Sequence, residues 1–295
     1  MNFCMEDSKR KTINKIFYRF LCAISIAVAL YILSAVFLIA TFKVTSDSML
    51  PILHTNDKIL VFKPTIGARL FDILAAVRGK PFNVYRTKGM RTIRYNDVVV
   101  FFNYPYTEWN NWDSIEMDLR KYYVKRCIGL PGDSIFSVNG IYGIKGNKRT
   151  LGNTTNQFEA YRDSSYIEQY GKAFVDNPHL EWDLYNWGPI YIPRKGERIP
   201  ITVNNCKIYK SIIEWETDTR MEDVLDTEMC NGKVIKQYTF KHDYYFMAGD
   251  NVAHSIDSRY WGFVPDVFIV GVTSYVIGRV DTNDYKNRII FRKIH

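Results

Sequence analysis

The chain has 295 residues, of which 47% are hydrophobic, 24% charged and 15% aromatic. That is enough apolar material for one large or two modest domains, and it excludes disordered, collagen-like and low-complexity classes. The 39 Lys+Arg against 31 Asp+Glu leave a net charge of +8, and the five cysteines (Cys4, Cys22, Cys127, Cys206, Cys230) have no C-x-x-C spacing, which argues against a zinc cluster or a dense disulfide scaffold.

From Phe20 to Phe42 run 23 residues without a charge. As a helix rising about 1.5 Å per residue this run reaches about 34 Å, enough to cross a hydrocarbon layer of about 30 Å. Lys9, Arg10, Lys11, Lys15 and Arg19 precede it, against only Glu6 and Asp7. The positive-inside bias predicts a cytoplasmic segment 1–19, one transmembrane helix at 20–42, and all that follows on the far side of the cell (cytoplasmic) membrane. A cleavable signal peptide has a shorter apolar stretch and a small-x-small exit. This run leaves through Ala40-Thr41-Phe42-Lys43, so it reads as an uncleaved anchor. The excess positive charge then faces anionic lipid, and nucleic acid is not an expected partner.

Beyond the anchor the sequence predicts a mainly β protein. Lys58–Phe62, Asp97–Phe102, Tyr122–Ile128, Lys207–Ile213, Tyr244–Met247 and Phe268–Val280 are short, rich in Val, Ile, Tyr and Phe, and punctuated by Gly, Pro, Asn and Asp. One stretch differs: Leu70, Phe71, Leu74 and Val77 fall at helical spacing. From about Gly143 to Gly196 polar and aromatic residues dominate without clear periodicity. The expected organisation is a β-rich catalytic domain of residues 43–139 and 241–295, with residues 140–240 as an inserted subdomain.

Three clusters carry candidate chemistry. In Val44-Thr45-Ser46-Asp47-Ser48-Met49-Leu50-Pro51 two serines stand two apart; in an extended segment both would point one way, one as nucleophile and one as donor. The same string also suits a linker leaving a membrane. In Tyr122-Tyr123-Val124-Lys125-Arg126-Cys127-Ile128-Gly129-Leu130-Pro131-Gly132-Asp133, a strand would place Tyr123, Lys125 and Cys127 on one face. A lysine buried there loses pKa by desolvation and suits a general base for a serine hydroxyl; alternatively it snorkels to an edge. The third, Gly249-Asp250-Asn251-Val252-Ala253-His254-Ser255-Ile256-Asp257-Ser258-Arg259, gathers small polar residues with an acid and a base. Asp257 and Arg259 can brace a loop there, and a purely structural turn is the other reading.

Taken together and in this order behind an apolar helix, S-x-S-M-x-P, Y-V-K-R-C-I-G-L-P-G-D and G-D-N-x-x-x-S-x-D-S-R closely resemble the bacterial type I signal peptidases. Asp57–Val61 and Tyr95–Phe102 extend the likeness, which leaves 140–240 uncovered. The resemblance implies a membrane-bound Ser/Lys endopeptidase that removes signal peptides from exported precursors, cutting after a small-x-small site, without cofactor or metal. By position it implies Ser48 as nucleophile and Lys125 as general base. Ser46 would share the oxyanion hole with the Ser48 N–H, and Ser255 would hydrogen-bond the lysine head group. Asp257 with Arg259 would form a bracing salt bridge, and Tyr123 would be the aromatic beside the lysine. Val252 departs from an arginine frequent in the family, and residues 64–93 stand as an insertion between the serine and lysine motifs. A maturation peptidase with the same dyad, or an inactive scaffold, are the rival readings.

Ser48 lies six residues beyond Phe42, so the nucleophile is expected within about 20 Å of the membrane exit. A precursor held by its own apolar segment presents its cleavage site in that zone. An extended peptide can add to a strand edge beside Ser48. Whether Cys206 and Cys230 pair is left open by the sequence.

Overall fold

A computed structural model of the chain describes residues 2–72, 74–75, 78, 83–103, 118–163, 174–175, 180–202, 205–219, 236–279 and 291–294. It opens with α1 (Asn2–Phe37). Asn14–Phe37 has a mean hydropathy of 2.5 and is unburied; among the described residues it is the one helix long and apolar enough to cross a membrane. The apolar run and the helix do not end together, which corrects the span expected at 20–42. After Phe37 the chain straightens into β1 (Ile39–Lys43), paired antiparallel with β2 (Asp57–Phe62) from Ile39↔Phe62 to Lys43↔Lys58. Ile39 and Thr41 are β-branched and face out while Ala40 and Phe42 pack inward, so pairing with β2 overrides the helical continuation. Lys63 closes the helix, its Nζ donating to the carbonyls of Ala35 and Val36. That places a cation on the negative end of the helix dipole.

The main sheet is antiparallel. Its path is β1, β2, β14 (Ile269–Arg279), β5 (Val98–Asn103), β6 (Asp118–Gly129), β12 (Tyr244–Ala248) and β13 (Val264–Pro265), with β15 (Arg292–Lys293) on β14. A separate two-residue pair joins β3 (Arg69–Leu70) to β4 (Tyr85–Arg86). Val98 to Phe101 are all buried because the sheet is covered on both faces. Val98 and Val100 join one cluster with Val44, Met49, Leu53, Ile59 and Val124. Val99 and Phe101 join the other with Cys127, Trp187, Ile212 and Phe263. The period-2 alternation therefore divides residues between two cores rather than between core and water.

Residues beyond β6 cover the second face. A three-stranded sheet takes β7 (Ser134–Val138) between β8 (Ile141–Ile144) and β9 (Trp187–Tyr191). The hairpin-like pair β10 (Arg198–Ile201) and β11 (Lys236–Thr239) follows it. Two helices complete the layer, α2 (Thr154–Arg162) and α3 (Cys206–Thr217).

Helix α3 overturns the strand expected at Lys207–Ile213. Its isoleucines suggested β structure, but Ile208, Tyr209, Ile212 and Ile213 are buried while Lys207 faces solvent. That is a helical stripe, and the demand for one buried face decides over β propensity. The helix expected from Leu70 to Val77 begins differently. Leu70 belongs to β3, and the Asp72 carboxylate accepts from the N–H groups of Leu74 (2.9 Å) and Ala75 (3.0 Å). Val77 and Cys230 lie outside the described residues; Cys206 is buried in α3. Ile212→Ala should lower stability by about 2–5 kcal/mol through the cavity it leaves. Chemical denaturation of the detergent-solubilised protein checks this, and unchanged stability would contradict the packing of α3 against the sheet.

Candidate active site

Lys125 sits mid-strand in β6, opposite Val99 of β5, and is only 2% exposed. Ser48 lies in a turn closed by the Leu50 N–H donating to the Asp47 carbonyl at 3.0 Å. Met49 and Leu53 are sunk in the core beneath that turn. From above, the Asn251 N–H donates to the Ser48 carbonyl at 3.0 Å and Asn251 Nδ2 to the Asp47 carbonyl at 3.1 Å. These anchors bring Ser48 Oγ to 2.6 Å from Lys125 Nζ, and Ser255 Oγ stands 3.1 Å from the same amine. Ser46 is exposed, its Oγ 3.3 Å from Ser48 Oγ. The serines reach this proximity through a bend and turn, not the extended segment expected from their spacing.

Burial is the largest influence on Lys125 and pulls its pKa from 10.5 to about 8; Asp257 and Asp250 pull upward, and Arg259 adds to the downward shift. Asp257 is fully buried and paired with Arg259, Oδ1 to Nε at 2.8 Å. Burial pushes the Asp257 carboxyl up, but the Arg259 charge and hydrogen bonds, with Lys125, outweigh it and hold the carboxyl below its usual value. Arg259 Nη2 also donates to the carbonyls of Val252 (2.8 Å) and Ser255 (3.0 Å). The pair thus fixes the backbone that carries Ser255. Gly249 lets two loops touch: a Cβ there would lie 2.1 Å from Ser255 Oγ and 2.5 Å from the Ser48 carbonyl. Tyr123 stacks on Trp261 at 4.9 Å between ring centroids, and Lys125 Nζ lies 5.9 Å from the Tyr123 centroid. This aromatic wall adds to the desolvation of the amine.

Two supports escaped the sequence reading. Arg126, on the opposite strand face from Lys125, holds Asp250 through a buried bidentate pair at 2.6 and 2.7 Å and donates to the Asn96 carbonyl at 2.7 Å. Both residues stand inside the quoted motifs, and their opposite charges were the available signal. Asn156 of α2 gave no signal at all. Its Nδ2 donates to the carbonyls of Asp250 (2.8 Å) and Leu50 (3.3 Å), tying the third cluster to the serine loop.

A serine hydroxyl against a buried amine of lowered pKa, with no imidazole between them, is the apparatus of a Ser/Lys hydrolase. Residues 17–277 match the family described as signal peptidase, peptidase S26. Curated relatives include signal peptidase I of Buchnera aphidicola subsp. Schizaphis graminum, 28% identical over 268 residues, covering 87% of this chain and 73% of that protein. Its counterpart in Buchnera aphidicola subsp. Baizongia pistaciae is 27% identical over 265 residues, covering 83% and 73%. Among solved structures, a signal peptidase I from Enterococcus faecalis V583 shares 18% identity over 62% of this chain and 98% of that one, with a TM-score of 0.29. The chain belongs to the signal peptidase family, peptidase S26. It is accordingly a serine endopeptidase that cleaves signal peptides, anchored to a membrane by its apolar N-terminal helix.

Asp257→Ala would leave the Arg259 guanidinium buried without its carboxylate. Breaking such a pair costs about 3–5 kcal/mol, so the variant should unfold at markedly lower denaturant. Unfolding at the wild-type midpoint would show that the pair does not brace the loop.

Proposed function

We propose that Ser48 is the nucleophile and Lys125 its general base. The observation that carries this reading is the 2.6 Å approach of the buried Lys125 amine to Ser48 Oγ. With Lys125 neutral, the serine hydroxyl donates to Nζ and gives up its proton as Oγ attacks the scissile carbonyl. The negative charge that develops on the carbonyl oxygen is met by the Ser48 N–H and the Ser46 hydroxyl, donors set before the reaction begins. Protonated Lys125 then gives its proton to the leaving amine. A water deprotonated by the same amine hydrolyses the acyl-enzyme, restoring Ser48. Ser255 holds Nζ in line, Asp257 and Arg259 brace Ser255, and Tyr123 shields the amine.

The substrate in this reading is a precursor whose signal peptide ends in a small-x-small site. The basic residues from Lys9 to Arg19, in the first half of α1, support a cytoplasmic N-terminus and an extracytoplasmic Ser48, in a single pass of the cell membrane. The helix ends at Phe37, eleven residues before Ser48. The bound on its distance from the membrane therefore widens to about 40 Å, although β1 folds part of that reach back onto the sheet. Residues 43–139 and 241–295 would form the catalytic unit, with 140–240 inserted; Asn156 supports a buttressing role for the insert.

In detergent or liposomes, wild type should cut a precursor after its small-x-small site, whereas Ser48→Ala and Lys125→Ala should both be inactive. Ser46→Ala should lower kcat about 10²–10³-fold, the usual cost of one oxyanion donor. Wild-type cleavage by Lys125→Ala would refute the assignment of the base.

A further inference from the structure

The main sheet curls until β1, its edge strand, comes within reach of a side chain of β6, four places along the sheet order. Backbone polarity alternates along an antiparallel strand, each residue pointing both N–H and C=O to the same side. In β1 and its extension, Leu38 and Val44 face β2: the Leu38 carbonyl accepts from the Lys63 N–H at 2.9 Å, and the Val44 N–H donates to the Asp57 carbonyl at 2.8 Å. Ile39, Thr41 and Lys43 accordingly turn their backbone groups away from β2. In β6, Cys127 faces β5, its N–H donating to the Asp97 carbonyl at 2.9 Å, so Tyr122 and Val124 turn theirs outward. β12 pairs with β6 only at Arg126, Cys127 and Gly129. Among the described residues, then, the outward edge at Tyr122–Lys125 and the outward edge of β1 have no strand on them. These edges lie on the approach to Ser48 and Lys125.

One side chain spans this gap. The Lys43 N–H donates to Tyr122 Oη at 3.2 Å, and Tyr122 O–H donates to the Lys43 carbonyl at 2.8 Å. Phe42 packs edge-on against the Tyr122 ring, with centroids 4.6 Å apart. A single phenol thus satisfies both outward backbone groups of Lys43, the outward-facing β1 residue nearest Ser48, in the way a paired peptide would.

We infer that Tyr122 is a specificity-determining latch: its hydroxyl stands in for substrate backbone at Lys43, and an extended peptide must displace it to pair with β1. The latch rests on the peptidase reading above. It excludes short peptides that gain too few ladder hydrogen bonds to replace it, and it favours extended precursors that pair along the whole edge. It also keeps a hydrophobic edge strand from pairing with other chains between turnovers.

Full-length protein in detergent, assayed with a short small-x-small peptide, tests this through Tyr122→Phe, which keeps the ring and removes the two hydrogen bonds. Two net hydrogen bonds correspond to about a thirtyfold change. KM should fall by about that factor with kcat unchanged, a gain that simple loss of structure does not give. Without substrate, hydrogen exchange at the Lys43 amide should accelerate in the variant. Unchanged or raised KM together with unchanged exchange at Lys43 would overturn the latch. If Ser48→Ala cleaves the peptide as wild type does, the peptidase reading is what fails, and exchange at Lys43 still decides the latch.

Discussion

Everything in the site depends on keeping one lysine amine out of water beside one serine. In water a lysine at neutral pH is almost wholly protonated and useless as a base. Buried in β6, with aromatic rings behind it and hydroxyls on either side, Lys125 loses hydration that the protein does not fully replace, and its pKa falls toward the working range. Two carboxylates and a guanidinium lie near enough to act on it. Asp257 and Asp250 would restore its proton, but each is held by an arginine, Arg259 and Arg126. Arg259 opposes the pull of the carboxylates on the amine, and burial outweighs what remains.

Because Lys125 is a strand residue and Ser48 is on a loop, the remaining architecture serves to hold that loop against the strand. Met49 and Leu53 anchor it from the core, Asn251 from the third cluster, and Asn156 from α2. Gly249 allows the loops to approach more closely than any side chain would permit. The salt bridges buried here gain little over an apolar filling in stability. What they supply is a fixed backbone for Ser255 and for the turn that carries Ser48.

The parts legible in the sequence were those governed by local pattern. Runs rich in Val, Ile and Tyr marked β2, β5, β6, β12 and β14. The unbroken apolar run marked a helix apolar enough to cross a membrane, and three short motifs held, in order, the residues that meet around the Lys125 amine. What stayed hidden was set by tertiary competition. Ile39 and Thr41 left the helix because β2 offered them a partner, and the isoleucines of α3 obeyed a buried stripe rather than their β propensity. Ser46 and Ser48 met through a turn whose shape is imposed by Asn251 and the core. Asn156 and Tyr122 act by reaching backbone carbonyls far away in sequence, and no pattern of residue types announces such a contact.

In the proposed dyad Lys125 can accept the serine proton only as the neutral amine. The measurement that tests this most directly is the pH dependence of acylation at Ser48, followed in parallel with the 15N resonance of the Lys125 amine. Lowered by burial, the amine should titrate near pH 8. Because the neutral form is the base, acylation should be slow below that pH, rise through it and level off above. An amine that titrates above 10, or an acylation rate that does not change across that interval, would contradict the account.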